Sequence, residues 1–164
     1  MFIKSLLALS AMATTAFAGE NNIKFLYSSS NFNGIQDSGS GHISGFTLFD
    51  NDNNILFESP SPLNYSPCVR DTNHLEITSD CWEGSYDFSC GSSFSGMPGA
   101  CSVYAPDGSE TKGKADSDLK FIGIASGQDG TCSGTITTHS DGKCTKDSLV
   151  KIERRYTGKY SGHN

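Results

Sequence analysis

Hydrophobic and polar residues alternate over short segments of this chain, which is the pattern of half-buried β-strands. Leu75 and Ile77 are separated by one polar residue, and so are Tyr86 and Phe88, so both members of each pair face the same side of a strand. Clusters of Asn, Asp, Gly and Pro lie between these segments and indicate turns. The pattern predicts nine strands, over 23–27, 43–49, 55–58, 74–78, 85–89, 101–105, 119–125, 131–138 and 149–156.

The connections support the same fold class. Segment 28–45 is rich in Gly and Ser and predicts a long connection or an irregular edge. The last segment has helical spacing at Leu149, Ile152 and Tyr156, but it alternates equally well as a strand, and its β-rich surroundings favour the strand. Abundant glycine (18 residues) and the lack of long Ala/Leu/Glu/Lys stretches disfavour helices. We expect an all-β domain, a disulfide-bonded β-sandwich or small β-barrel. Its turn signals are 33–34, 50–54, 106–108, 129–130 and 141–142.

The first residues have the pattern of a cleaved signal peptide. Lys4 precedes an apolar stretch, and Ala16-Phe17-Ala18 before Gly19 is a small-x-small cleavage site. A membrane anchor needs about 20 apolar residues, whereas serines and threonines interrupt this stretch. The sequence predicts a signal peptide over 1–18 and one domain over 19–164 of a secreted, extracellular protein.

The cysteines agree with export. All six follow residue 18, and an even number in an exported chain predicts three disulfides. Their spacing lacks the close pairs of a zinc site. Because each neighbouring pair suits two strands joined by a turn, the spacing favours Cys68–Cys81, Cys90–Cys101 and Cys132–Cys144.

Charge limits the partners. The chain has a net charge of −6, and without residues 1–18 it has eleven Lys and Arg against eighteen Asp and Glu. Such a surface repels nucleic-acid phosphates and anionic lipid, so we expect neither nucleic acid nor membrane as partner. A basic tip holds Arg154 and Arg155. It is interpreted as an anionic-partner site, a dibasic processing site or, most simply, a charged edge strand.

Some residues have the chemistry of catalytic or metal sites. His42, Glu58, His74 and Arg70 supply the residue types of a small ribonuclease, although the acidic charge opposes an RNA substrate. Asp50-x-Asp52-x-Asn54 opens like a calcium loop but lacks the later Gly and Glu, so a hairpin turn is the simpler interpretation. We predict no catalytic residue, metal ligand or cofactor, and an enzyme is disfavoured without being excluded.

The remaining candidate residues could bind carbohydrate or carry it. Trp82, Tyr86 and Tyr104 could stack on sugar rings if exposed, although Trp82 beside Cys81 is most simply a core residue. Asn64 begins the sequon Asn-Tyr-Ser and is a candidate glycosylation site. These residues keep a lectin-like module open.

Two resemblances add to this interpretation. In its leader, size, cysteines, acidity and Gly/Ser/Asn-rich strands, the chain resembles the small secreted cysteine-rich β-proteins of filamentous fungi. Segment 43–48 with the region of Trp82 and Cys90 is similar to their allergen-like β-sandwich members. Tyr27-x4-Phe32-x-Gly34 resembles the hairpin motif of βγ-crystallin-like domains.

The fungal resemblance implies an effector or elicitor. We therefore expect a secreted non-enzymatic interaction protein whose partner is an extracellular or host protein, or a cell-wall glycan. The alternatives are a secreted ribonuclease-like hydrolase and a carbohydrate-binding lectin-like module.

Overall fold

Two antiparallel β-sheets make up most of the molecule. The computed structural model describes residues 19–33, 40–64, 67–69, 73–92, 97–122, 125–140 and 142–156. The predicted signal peptide, residues 1–18, lies outside them. The expected all-β sandwich class is confirmed, and the two sheets do not close into a barrel.

Each sheet has five strands. The first sheet has the order β3-β2-β1-β9-β8 and the second the order β10-β4-β5-β6-β7. Two short 3-10 turns, Pro62–Asn64 and Pro67–Val69, lie between β3 and β4. The strands are β1 (Gly19–Asn33), β2 (Ser40–Phe49), β3 (Ile55–Pro60), β4 (Asn73–Ser79), β5 (Tyr86–Ser92), β6 (Pro98–Tyr104), β7 (Glu110–Lys112), β8 (Lys114–Ile122), β9 (Ala125–Ser140) and β10 (Val150–Tyr156).

Segment 28–45 was expected to be a connection or an irregular edge, and that expectation is wrong for most of it. β1 continues to Asn33 and β2 begins at Ser40, and the two strands pair residue by residue. β1 also pairs with β9 along its whole length. Ladder hydrogen bonds on both sides of β1 therefore outweigh the weak strand propensity of its serines and asparagines.

The prediction of one strand over 119–125 is also wrong. β8 ends at Ile122 and β9 begins at Ala125, and the two pair as a hairpin. The turn signal at 129–130 lies inside β9. A Cβ on Gly130 would lie 2.8 Å from Cδ of Pro98 and 3.2 Å from Sδ of Met97. This glycine therefore permits close packing of β9 against the second sheet rather than a turn.

The core is an aromatic cluster between the sheets. Phe88 of the second sheet packs against three rings of the first, Phe25, Tyr27 and Phe46, with ring centroids 5.7, 5.9 and 5.0 Å apart. All four side chains are buried. These rings join the two sheets along their centre, as expected for a sandwich with apolar inner faces.

All six cysteines form disulfides, which confirms three bridges but not the expected pairing. The bridges are Cys68–Cys90, Cys81–Cys144 and Cys101–Cys132. Cys90 and Cys101 are direct cross-strand neighbours, but both side chains are buried. Cys101 reaches across the sandwich to β9, and Cys90 bonds to the second 3-10 turn. Cys132 lies eight residues before the end of β9, about 27 Å of strand, and so cannot meet Cys144 beyond that end.

The hairpin between β2 and β3 confirms the turn interpretation of Asp50-x-Asp52-x-Asn54. The Asp50 carboxylate accepts hydrogen bonds from the backbone N–H groups of Asp52 and Asn54, at 2.8 Å each, and from the Asn54 side chain at 2.9 Å. Burial raises the pKa of Asp50, but these hydrogen bonds and the nearby Lys143 outweigh it and hold the pKa below its usual value. This carboxylate therefore acts as a structural anchor of the turn.

Candidate binding cleft

A cleft of about 550 Å³ opens where the two sheets part along one side of the sandwich. β9 pairs with β1 from Ser126 to Ser140, but its pairing with β8 ends at Ser133. Beyond that point the edge of β9 faces the β6–β7 hairpin of the second sheet. The cleft therefore follows from the unequal lengths of β8 and β9.

The chain passes from the second sheet to the first at Gly113, two residues after Thr111 of the cleft wall. Gly113 joins β7 of the second sheet to β8 of the first, and its N–H donates to the carbonyl of Cys101 at 2.8 Å. A Cβ here would lie 2.4 Å from Sγ of Cys101 and 3.1 Å from Sγ of Cys132. The chain can therefore cross between sheets only because position 113 has no side chain against the inter-sheet disulfide.

The floor of the cleft is apolar. Val103 of β6, Ile136 of β9 and the ring of Tyr86 line it, and all three residues are buried. The Tyr86 hydroxyl donates to the carbonyl oxygen of Thr137 at 3.3 Å. Burial, with a smaller contribution from the carboxylate of Asp107, raises the pKa of Tyr86, so this hydroxyl stays protonated at neutral pH.

The β6–β7 hairpin forms one wall, and its turn confirms the signal at 106–108. Gly108 has φ +83°, which favours glycine, and its N–H donates to the Ala105 carbonyl at 2.9 Å. The Asp107 carboxylate accepts from the Ser109 N–H at 2.9 Å. The side chain and N–H of Ser109, and to a smaller extent His139, hold the pKa of Asp107 below its usual value.

The loop between β4 and β5 forms the far end of the cleft. Gly84 has φ +76°, and a Cβ there would lie 2.5 Å from Cγ of Pro106, so this glycine lets the loop touch the hairpin. The N–H of Glu83 donates to the carbonyl of His139 at 3.3 Å. The backbone carbonyls of Thr137 and His139, at the edge of β9, thus already accept hydrogen bonds from Tyr86 and Glu83.

The cleft offers mainly hydroxyl groups and carboxylates. Ser109 and Thr111 line the hairpin wall, and Thr135 and Thr137 line the β9 wall. The Thr137 hydroxyl donates to the Asn22 side chain on the outer face of the first sheet at 3.3 Å, and the side chain of Thr135, two residues earlier, has the same orientation. The carboxylates of Glu83 and Asp107 and the imidazole of His139 are exposed at the rim. Of the residues that line this cleft, sequence reasoning singled out only Tyr86 as a candidate binding residue. The one sequence signal of the cleft was the alternation along 135–139, in which Ile136 and Thr138 are buried between exposed neighbours.

The aromatic candidates divide into buried and exposed residues. Trp82 is 5% exposed and Tyr86 is 4% exposed, and their rings meet edge to face at 6.1 Å. Trp82 is therefore a core residue, with too little exposed ring for stacking on sugars, whereas Tyr86 lines the floor of the cleft. Tyr104 is 37% exposed on the outer face of the second sheet. It lines a separate depression there with His74 and Ser102.

The basic candidates lie on β10, an edge strand of the second sheet, as the charged-edge interpretation predicts. The Arg155 guanidinium lies 3.5 Å from Asp87, whose other carboxylate oxygen lies 2.8 Å from Nδ1 of His74. The side chains of His74 and Asp87 are only 12% and 14% exposed. The Arg154 side chain donates to the Leu63 carbonyl. These contacts hold β10 and its neighbours together.

The hydrolase candidates are not brought together in the described part of the chain. Glu58 lies on β3 of the first sheet and His74 on β4 of the second. Arg70 and the side chain of His42 lie outside the described residues. Asn64 ends the first 3-10 turn, and its glycosylation stays a prediction because Ser66 of the sequon is not described. Gly34 of the crystallin-like motif lies outside as well.

The described residues contain neither a metal-site cluster nor a candidate membrane-spanning helix. There, no three or more His, Cys, Asp or Glu side chains converge as a metal site would require. Within the same residues, no helix has the length and apolarity to span a bilayer.

Comparison with known proteins gave no relative. No protein-family model matches the chain, and neither the curated proteins nor the solved structures contain a significant match.

Proposed function

We propose that this protein is secreted and acts as a non-enzymatic interaction protein of the effector or elicitor type found in filamentous fungi. Its partner is then a host component or the cell wall. The observation that carries the proposal is the cleft between β9 and the β6–β7 hairpin, which is concave, open and built into a rigid, disulfide-bonded frame. Preformed concave sites with an apolar floor and a few polar groups are the usual form of ligand sites.

Three features support the extracellular setting. The signal-peptide pattern at 1–18 and the absence of cysteine from it fit export. The three disulfides are consistent with an oxidising compartment. Each bridge is worth about 2–4 kcal/mol of stability, which would protect a small domain among extracellular proteases.

Non-enzymatic action is supported by what the polar side chains already do. Asp107 is bound by the turn at Ser109, and Asp87 is shared by His74 and Arg155. These acids and bases make contacts that stabilise strands and turns. We therefore expect the cleft to bind a ligand without transforming it.

The test is a pair of assays on the mature protein from a eukaryotic secretion host. Incubation with RNA, cell-wall glycans and peptides should give no products, and the protein should bind a component of host extracellular fluid or cell wall. A Thr111→Trp variant, which fills the cleft from the hairpin wall, should lose this binding, whereas Lys151→Trp on the exposed edge of β10 should keep it. Sustained hydrolysis abolished by His74→Ala or His139→Ala would show instead that the protein is an enzyme.

A further inference from the structure

The residues that line the cleft limit the chemical classes of ligand that it can bind. Hydroxyl groups lie along the hairpin wall, where Thr111 is opposite the buried Val103 and Ser109 follows the turn at Asp107. A hydroxyl both donates and accepts hydrogen bonds, whereas a carboxylate only accepts. The rim adds the two carboxylates of Glu83 and Asp107. This set matches a ligand that itself carries many hydroxyl groups.

The floor adds a second requirement. Val103, Ile136 and the edge of Tyr86 form an apolar surface beneath the hydroxyl groups. A ligand that fits both the apolar floor and the polar walls has an apolar face and a polar perimeter. A pyranose ring has this form, with C–H groups on its faces and hydroxyl groups around its edge.

Other ligand classes fit less well. An extended peptide would pair with the free edge of β9, but the carbonyls of Thr137 and His139 already accept hydrogen bonds from Tyr86 and Glu83. An anionic ligand would meet the carboxylates of Glu83 and Asp107. A cationic ligand would gain little from them, because both carboxylates are exposed to water and to salt.

From this combination we infer that the cleft binds a short neutral oligosaccharide. The inference rests on the proposed binding function and names the ligand class for the same site. The volume of about 550 Å³ lies within the range of small-ligand pockets. Recognition comes from hydrogen bonds to the walls and contact with the apolar floor, and not from stacking on Trp82.

The test is an NMR titration of the mature, disulfide-bonded protein with two probes, the trisaccharides of β-1,3-linked glucose and of β-1,4-linked N-acetylglucosamine. At least one probe should shift the backbone amide signals of Ser109, Thr111 and Thr135, with no dependence on salt. The variant Thr111→Val removes a hydroxyl from the hairpin wall at almost constant shape. Its affinity should fall about fivefold, as the loss of one hydrogen bond to a ligand hydroxyl predicts.

Thr131→Val is the matched control, because Thr131 lies on β9 where that strand is paired with Asp116 of β8. It should bind as the wild type does. The inference is overturned if neither trisaccharide shifts the cleft signals, if Thr111→Val binds normally, or if a lysine-rich peptide binds there instead with strong salt dependence. The release of new reducing ends from a bound trisaccharide would refute the non-enzymatic proposal and leave the saccharide site standing.

Discussion

Replacement of Gly113 by alanine tests how the two sheets are joined. The added Cβ would lie 2.4 Å from Sγ of Cys101, 3.1 Å from Sγ of Cys132 and 3.1 Å from Cζ of Phe25. Ordinary contacts of such atoms are longer than about 3.5 Å, so the disulfide must shift by roughly 1 Å or the crossing strand must move. None of the three neighbours is the end of a flexible, exposed chain, because all are buried in the core.

The expected cost follows from this crowding. Overpacking of a core costs about 1–3 kcal/mol, and the rigid inter-sheet disulfide places Gly113→Ala at the upper end, about 3 kcal/mol. That loss corresponds to a change of roughly 150-fold in the folded-to-unfolded ratio and to a fall in Tm of about 6–12 °C. The free energy of unfolding can be measured in urea without reductant, with the fluorescence of Trp82, the single tryptophan, as the probe.

The matched control is Gly142→Ala, because a Cβ at Gly142 meets no atom within 4 Å. It should unfold within about 0.5 kcal/mol of the wild type, as surface substitutions usually do. If Gly113→Ala is as stable as Gly142→Ala, the chain does not cross between the sheets against the Cys101–Cys132 bridge, and the position of the cleft must be revised.

Three further predictions concern the edges and turns of the sandwich. Asp50→Ala should cost about 2 kcal/mol at neutral pH, because hydrogen bonds to a charged group are lost. Folding lowers the pKa of Asp50, so the stability of the wild type should fall as the pH drops below the ordinary value of 3.8. In urea unfolding, the difference in stability between wild type and variant should therefore disappear at low pH. Asp87→Asn removes the charge shared by His74 and Arg155 and should speed hydrogen exchange of the β10 amides but not of β1; equal rates in both proteins would show that the cluster does not anchor β10. A dibasic-specific protease should leave the native protein intact at Arg154-Arg155, because Arg154 is bonded to the Leu63 carbonyl and Arg155 lies against Asp87. It should cut the chain after reduction and denaturation; cleavage of the native form, seen by mass, would contradict this.

The fold class could be predicted from the sequence because alternation and turn chemistry are local. Leu75 with Ile77, and Tyr86 with Phe88, alternate as their strands do in the structure. The hairpin turns at 50–54 and 106–108 are determined by residues within the turns themselves. The charged edge strand β10 could be predicted for the same reason.

The errors concern long-range partners. The serines of β1 form a strand because β2 and β9 flank them, which no local pattern shows. Gly130 looked like a turn residue, but it serves close packing against Met97 and Pro98. The disulfide pairing failed because Cys101 bonds across the sandwich rather than to its strand neighbour. The cleft depends on the unequal pairing of β8 and β9, so it could not be predicted either.

The most direct test of the account is mass spectrometry of the protein secreted by a eukaryotic host. The account predicts a chain that begins at Gly19, gains about 6 Da on reduction (two hydrogens for each of three bridges), and yields non-reduced peptides joined as Cys68–Cys90, Cys81–Cys144 and Cys101–Cys132. A chain that keeps residues 1–18 or contains free thiols would contradict export. Bridges between neighbouring cysteines would contradict the sandwich and the cleft it forms.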